Sequence, residues 1–327
     1  MLGPFVVLFG PTGSGKTEAL YRLCAGRAEV ISADSMQVYR ELRIGTAKPS
    51  ATVAAALPHH LIDLCSLEEY FDLGAFAERS ERLIPEIRAR GKLPIVAGGT
   101  AFYLRGLLYG LPEAPRADAA VRRGLEEELR EGGPERLRAE LEQVDPVSAE
   151  RIEAGDSYRV MRALEVYRTT GRPLSQYSRP NRLRRDLDVV VVGLWRERAE
   201  LYARIDRRVE EMFRSGLAVE VAELLDSGYR GNEPGLRSIG YREFFDALRA
   251  GRLQRDELVD REPVPEALKA VLEEIKRNTR RYAKRQLTFF RRMAPVRWVK
   301  ADDDAALAEV LEAAERGGID NERGDNA

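Results

Sequence analysis

The segment Gly10-Pro11-Thr12-Gly13-Ser14-Gly15-Lys16-Thr17 limits this chain more than any other feature. It fits the pattern G-x-x-x-x-G-K-[ST]. It follows the apolar run Phe5-Val6-Val7-Leu8-Phe9 and opens a helical pattern from Lys16 to Arg27. Glycines in such a loop let backbone N–H groups turn inward around phosphate oxygens, and the helix start adds the positive end of a dipole. Lys16 would neutralise phosphate charge, and the Thr17 hydroxyl would ligate Mg²⁺. The loop needs a strand before it and a helix after it, so the N-terminal part must be α/β. It specifies a polyphosphate without saying which one, or which reaction.

The same alternation continues through the first 110 residues. Val30-Ile31-Ser32, Leu61-Ile62-Asp63-Leu64 and Leu93-Pro94-Ile95-Val96-Ala97 are strand candidates, and Asp72 to Arg90 and Thr100 to Tyr109 are helical. This predicts a P-loop NTPase-like parallel sheet flanked by helices. Residues 116–186 carry no strand pattern and read as charged helices broken at Gly132-Gly133-Pro134, Asp145-Pro146 and Gly171-Arg172-Pro173. Asp188 to Trp195 is again strongly apolar, so the chain is expected to re-enter the first sheet. The expected organisation is a core over 1–115, a helical insertion domain over 116–186, and a return to the core with basic C-terminal helices over 187–300. Within that return, helices are expected over 198–215, 217–227, 239–249 and 265–292, and a last strand over 296–299. Residues 301–327 form an acidic tail, disordered after Gly317.

Composition narrows the function classes. Of 327 residues, 44% are hydrophobic and 33% charged, which suits a soluble core-forming protein. No apolar run nears the roughly 18 residues of a membrane span, and Met-Leu-Gly-Pro lacks a charged region followed by an apolar one, so neither membrane spanning nor classical secretion is expected. Cys24 and Cys65 are too few for a disulfide framework or a cysteine zinc site, so a reducing cytoplasm is expected. The net charge of −1 hides asymmetry: residues 275–300 carry ten Lys or Arg and no acid, and residues 168–185 carry six Arg and no acid. Such blocks mark a local polyanion-binding surface or, more plainly, a solvated helix face.

Four places carry chemistry. Asp34-Ser35-Met36-Gln37 follows the second strand, so Asp34 should face the phosphate loop across the carboxyl edge of the sheet. It would hold Mg²⁺ through water, take a proton from an acceptor, or simply cap a helix. Gly98-Gly99-Thr100 allows close backbone approach to a ligand, or just starts a helix. His59-His60 has no further soft ligand nearby, so packing or hydrogen bonding is expected rather than metal binding. In the C-terminal helix Arg277, Arg281, Lys284, Thr288 and Arg291 fall on shared faces, with Tyr282, Phe289 and Phe290 interleaved, a pattern suited to phosphates and extruded bases.

Nine ordered segments together resemble the tRNA dimethylallyltransferases (isopentenyl-diphosphate:tRNA transferases). They are GPTGSGKT (10–17), DSMQVY (34–39), GTAKP (45–49), HHLID (59–63), GGTAFY (98–103), DPVSAERI (145–152), YRVMRALEVY (158–167), RSIGYREF (237–244) and TRRYAKRQLTFFR (279–291). The resemblance implies transfer of a dimethylallyl group from dimethylallyl diphosphate to N6 of the adenosine at tRNA position 37, beside the anticodon, in tRNAs reading codons that begin with U. It implies that the phosphate loop, Gly10 to Thr17, holds the donor's diphosphate with Mg²⁺ on Thr17. It casts Asp34 as general base and Thr100 and Lys16 as catalytic. It places tRNA contacts at Asp34, Ser35, Met36, Gln37, Thr100 and Arg122, and at Tyr158, Arg159, Val160, Met161 and Arg162. Further contacts would fall at Arg237, Ser238, Ile239, Gly240, Tyr241 and Arg242, and at Lys284, Arg285, Gln286, Leu287, Thr288, Phe289, Phe290 and Arg291. The partners are then the anticodon stem-loop and the prenyl donor, with no membrane, and a monomer is expected. Gly13 stands where Ala is usual, Ala101-Phe102 replaces Gly-Leu, and Phe289 stands where Trp is common. Two other readings share the loop: a small-molecule or nucleotide kinase, and a non-catalytic RNA-binding protein.

Overall fold

The structure is a computed structural model. It describes residues 1–115, 118–153, 155–178, 180–259, 265–293 and 295–316. In chain order the elements are β1 (Leu2–Phe9), α1 (Lys16–Cys24), β2 (Ala28–Ala33), α2 (Ala51–Ala56), β3 (His59–His60), α3 (Leu73–Ala89), β4 (Leu93–Gly98), α4 (Ala101–Tyr109), α5 (Ala119–Val144), α6 (Pro146–Arg151) and α7 (Ser157–Thr170). There follow β5 (Leu187–Trp195), α8 (Arg198–Arg214), α9 (Leu217–Asp226), α10 (Arg242–Arg249), α11 (Glu266–Phe290), β6 (Arg297–Lys300) and α12 (Asp304–Glu315). The chain separates into two compact units, one of residues 1–108 with 184–327 and one of residues 109–183.

The larger unit holds a six-stranded sheet in the order β3-β2-β4-β1-β5-β6, every pairing parallel. Parallel strands covered on both faces read as continuous apolar runs, which is why Phe5 to Phe9 and Val189 to Val192 carry no polar alternation. Val6 and Leu8 of β1 share one core cluster with Leu20 of α1, Ile95 of β4 and Val192 of β5. The apolar run at 188–195 does return to the first sheet, between β1 and β6. β1 therefore lies centrally and delivers the phosphate loop at its carboxyl end.

A second core cluster of this unit lies among α8 to α11, around Val221, Leu236, Tyr241, Phe244 and Ile275. α8 and α11 run antiparallel: Arg280 pairs with Asp206, and Lys276 Nζ donates to Glu210 at 2.8 Å.

Three expectations need correction. The strand expected at 61–64 does not form; only His59 and His60 pair with β2. Leu61 (φ 62°) and Asp63 (φ 57°) adopt left-handed backbone, so the chain turns under residues 37–38, and Leu64 N donates to Val38 O at 2.7 Å. The helix expected from Ile239 starts at Arg242, because Gly240 at φ 102° cannot continue a helix N-terminally. Residues past 300 are more than an acidic tail. α12 buries Leu307, Val310, Leu311 and Ala314 against the sheet, Asp303 caps it, Asp304 pairs with Arg22 at 2.7 Å, and Glu315 pairs with Arg27 at 2.8 Å. The acids draw attention from the 3.6-residue period beneath them. Residues after Gly317, expected to be disordered, lie outside the described residues.

The smaller unit is helical. α5, α6 and α7 enclose Leu125, Leu137, Leu141, Val160, Met161 and Leu164. Gly133 (φ 72°, ψ 173°) breaks α5 ahead of Pro134, as the sequence indicates. Asp145 Oδ1 accepts from Ser148 N at 3.0 Å and Oδ2 from Ser175 N at 2.9 Å, so one carboxylate pins two turns.

If α12 belongs to the core, Leu311→Ala should lower unfolding free energy by about 2–4 kcal/mol, as for other fully buried leucines. Urea denaturation followed by circular dichroism measures it; a loss under 0.5 kcal/mol would mean that α12 is a loosely held appendage.

Candidate active site

Gly13 (φ 80°) and Gly15 (φ 94°) both adopt left-handed backbone, which glycine accommodates without strain, and Ser14 N donates to Pro11 O at 3.1 Å within the turn. The carbonyls on the outer side are tied down. Arg196, just past β5, donates Nε to Ser14 O at 2.9 Å, and Arg204 of α8 donates Nε to Gly13 O at 3.0 Å. Lys16 folds over the loop, with Nζ 2.8 Å from Gly10 O and 3.1 Å from Pro11 O. The Thr17 side chain sits at the start of α1 and is exposed.

The carboxyl edges of β2 and β4 supply the opposite side. Asp34 Oδ1 accepts from Met36 N at 2.9 Å and Gln37 N at 3.4 Å, while Oδ2 has no hydrogen bond among the described residues. Asp34 thus caps its own turn with one oxygen and keeps the other for chemistry; the two readings of this residue are compatible. Thr100 Oγ1 accepts from Ser35 N at 3.0 Å and lies 3.3 Å from Ser35 Oγ, and Thr100 N donates to Ala33 O at 3.0 Å. Gln37 faces inward, accepting from Ser32 Oγ at 2.9 Å and donating to the carbonyls of Thr46 and Ala47 at 3.3 Å.

Gln286 of α11 closes the frame. Its Oε1 accepts from Thr12 N at 2.9 Å and its Nε2 donates to Gly99 O at 2.8 Å, so one buried amide ties the phosphate loop to the loop after β4. A cavity of about 300 Å³ lies inside this frame. Thr12, Asp34, Thr100, Arg208 and Tyr282 give it polar groups, and Ile205, Val209, Met212, Ile239 and Ile275 give it an apolar wall. Ser35, Met36, Arg237, Ser238 and Gly240 border it as well.

The electrostatics call for an anion. Burial, followed by the nearby Arg208 cation, pulls the Lys16 ammonium down to about 8, against a smaller upward pull from Asp34. Burial also lowers the Arg208 guanidinium, which has no hydrogen bond or ion pair among the described residues. Burial, then the Asp34 charge, pushes Tyr282 up to about 12, so its phenol stays protonated. Arg208 and Tyr282 were not identified as cavity residues from sequence. Arg208 sits beside Arg207 in an arginine-rich helix and carries no local signal.

The tRNA-contact stretches divide by exposure. Arg237, Arg242, Lys284, Arg285, Thr288 and Arg291 are exposed. Arg281, Lys284, Arg285, Thr288, Phe289 and Arg292 surround an open depression of about 410 Å³, where Phe289 lies 5.6 Å from the exposed Phe102 ring. Other members of these stretches pack inward in the structure. Val160 and Met161 fill the core of the smaller unit, Leu287 packs beside Ile205, and Phe290 stacks on Phe9 at 4.5 Å. Tyr241 is fully buried, accepting from Gly45 N at 3.0 Å and donating to Glu220 at 2.5 Å, and a Cβ on Gly45 would lie 2.5 Å from its ring. In the smaller unit Tyr158 is 57% exposed and Arg122 stacks over its ring at 4.7 Å, with Arg159 exposed alongside. Buried Glu165 lies 3.2 Å from Arg162 and 3.7 Å from Arg122.

His60 Nε2 bonds Glu29 at 2.7 Å and His59 Nδ1 lies 2.6 Å from Leu57 O, which is the hydrogen-bonding role expected. No cluster of three or more His, Cys, Asp or Glu suited to a metal occurs among the described residues.

An anion beside Lys16 should return its pKa toward the ordinary 10.5. Between pH 8 and 10 binding then takes up about one proton, and affinity falls as pH rises. An organic diphosphate, whose last ionisation is near pH 6, should bind about tenfold more weakly at pH 9 than at pH 7. Calorimetry in two buffers of different ionisation enthalpy tests this; equal affinity with no proton uptake would remove Lys16 from the anion site.

Comparison with known proteins agrees with this architecture. The family model described as IPP transferase matches residues 37–293. The chain is 42% identical over 318 residues to tRNA dimethylallyltransferase 2 of Geotalea daltonii, covering 95% of this chain and 93% of the relative. It is 41% identical over 314 residues to tRNA dimethylallyltransferase of Geobacillus kaustophilus, covering 95% and 94%. The crystal structure of a tRNA isopentenylpyrophosphate transferase from Bacillus halodurans superposes with TM-score 0.63 at 35% identity, covering 95% of this chain and 98% of that one. A eukaryotic dimethylallyltransferase acting on tRNA gives TM-score 0.67 at 26% identity, covering 92% and 74%. A carboxyl-edge phosphate loop facing a carboxylate, with family segments matched from residue 37 to 293, identifies this chain as a member of the IPP transferase family.

Proposed function

We infer that this chain transfers the dimethylallyl group of dimethylallyl diphosphate to N6 of the adenosine at tRNA position 37, with release of diphosphate. The observation that carries the reading is a half-apolar cavity lined by Arg208 and by Asp34, which keeps one oxygen without a hydrogen bond, with Lys16 of the phosphate loop near both; neither cation has an ion pair among the described residues. In the reaction the C1–O bond of the donor breaks and the bonding electrons leave with diphosphate. The N6–C1 bond forms, and the N6 proton passes to Asp34 Oδ2. Loop amides, Lys16 and Arg208 meet the charge growing on the leaving group. An exocyclic amine is a poor nucleophile because its lone pair is delocalised into the purine, so proton removal during bond formation lowers the barrier. The apolar wall shelters a cation-like allyl group from water, and the acceptor base must leave its stack to enter.

The donor set suits Mg²⁺ held mainly by substrate. Thr17 offers one hard hydroxyl oxygen beside the loop, without a carboxylate cage. Thr17 would hold the ion, which would supply further charge neutralisation to the leaving diphosphate.

The basic depression on α11 supports contact with the anticodon stem-loop, and the Tyr158–Arg122 stack of the smaller unit is a second candidate RNA contact. The substrate set is the tRNAs reading codons that begin with U. No helix among the described residues is long and apolar enough to cross a membrane. Two buried, unpaired cysteines suit a reducing cytoplasm, and we assign the protein there as a monomer. A kinase shares the loop, but the apolar wall beside the transferred group and the relatives do not favour it.

Incubation with Mg²⁺, dimethylallyl diphosphate and unmodified tRNA should add five carbons to one adenosine, read by mass spectrometry of digested tRNA. ATP consumption on a small acceptor with no change in tRNA mass would favour the kinase. Asp34→Asn should lower kcat by 10³-fold or more, on the order expected for loss of a general base together with its charge, with tRNA affinity kept within about tenfold. Wild-type turnover in that variant would end the base assignment. Arg281→Ala with Lys284→Ala should weaken tRNA binding and reduce its salt slope by about 1–2; an unchanged slope would move the RNA surface elsewhere.

A further inference from the structure

α8 and α11 give the cavity a depth scale. The ion pairs Asp206–Arg280 and Glu210–Lys276 fix their antiparallel register, so residue numbers across the pair sum to about 486. Three rungs follow. At the phosphate end Ile205 faces Tyr282; Arg204 holds Gly13 O, and a Cβ on Gly13 would lie 2.9 Å from Ile205, so this rung touches the loop itself. One turn further along α8 lie Arg208 and Val209, opposite Thr279. A further turn on lies Met212, opposite Ile275. All of them line the same cavity.

At 1.5 Å per residue Met212 stands about 10 Å from Ile205 along the axis. Along α11, Ile275 stands roughly 16 Å from Gln286, the residue that bonds the loop amide of Thr12. Two helices running in opposite directions therefore agree on which end lies far from the phosphate loop. Polar groups diminish along the same path, from Tyr282 and Arg208 to Met212 and Ile275. The Arg208 side chain, tilted toward the N-terminus of its helix, points back to the phosphate end. Met212, partly buried, is packed against the α8–α11 core cluster to which the buried Ile275 belongs, so core side chains bound the far end on this side.

We propose that Met212, opposed by Ile275, is the floor of the prenyl pocket and sets the donor at a single five-carbon unit. The proposal rests on the function inferred above. With the diphosphate in the loop, the allyl group passes the Arg208 rung and ends near Met212. A second isoprene unit, roughly another helix pitch of 5 Å, would have to occupy the volume of the Met212 side chain. Exclusion is steric, so it should yield to removal of that side chain.

The test compares dimethylallyl diphosphate with geranyl diphosphate as donors to unmodified tRNA, with products identified by mass after digestion. Wild-type protein should prefer the shorter donor by at least about 100-fold in kcat/KM. Met212→Ala should reduce that preference by about tenfold or more, the scale on which pocket volume discriminates apolar groups. Met212→Leu, which conserves volume, should keep it. The preference is a ratio measured in one preparation, so partial unfolding of a variant does not move it. Ile275→Val opens the same floor from the other helix and should shift the ratio the same way by a smaller factor. Five-carbon transfer with an unmoved ratio in both Met212→Ala and Ile275→Val would overturn this inference alone. Wild-type protein that transfers neither donor would overturn the function inferred above, and this floor with it.

Discussion

Like charges held in one poorly solvated place are the constraint on which this molecule turns. Lys16 and Arg208 lie close enough that the Arg208 charge lowers the Lys16 ammonium, and Arg208 lines the cavity that Asp34 faces. Burial makes each cation less favourable there than in water, and Arg208 makes Lys16 less favourable still. Asp34 offsets part of that cost for both cations, and a bound anion would offset more. Everything around these groups serves to keep them in place. Arg196 and Arg204 fix the outer carbonyls, Gln286 fixes Thr12 N, and the sheet fixes β1.

Beside those cations the polypeptide places one carboxylate with one oxygen spent and one in reserve. Capping the turn at Met36 immobilises Asp34 without consuming the basic oxygen. Thr100 then locks the turn to the next loop through Ser35. The acid, the phosphate loop and the two helices that wall the cavity come from β1, β2, β4, α8 and α11, so no single segment contains the site. This is the usual arrangement at the carboxyl edge of a parallel sheet, where loops from separate strands converge.

The same helix pair that completes the wall grades it from polar to apolar. Its register is held by Asp206–Arg280 and Glu210–Lys276, ion pairs that look like ordinary surface pairs. Their contribution to stability is modest for partly exposed groups. Their consequence is positional: they decide which α8 residue stands opposite which α11 residue, and so where the cavity ends.

Sequence alone determined the phosphate loop, the alternation that makes a parallel sheet, the place of Asp34 and Thr100 at strand ends, and the return of the chain at Leu187 to Trp195. Each of these is a local pattern: a glycine spacing, an apolar run, a residue directly after a strand. The turn at Leu61 to Asp63 was not legible, because its apolar residues mimic a strand and only the partner loop at 37–38 bends them. α12 was hidden behind its acids. Tertiary structure alone decided that Gln286 and Tyr241 face inward, and that Arg208, Met212 and Ile275 share one cavity with Asp34. A helical sequence fixes which residues share a face, but the neighbour that face meets depends on packing between segments far apart in the chain, and no local period encodes it.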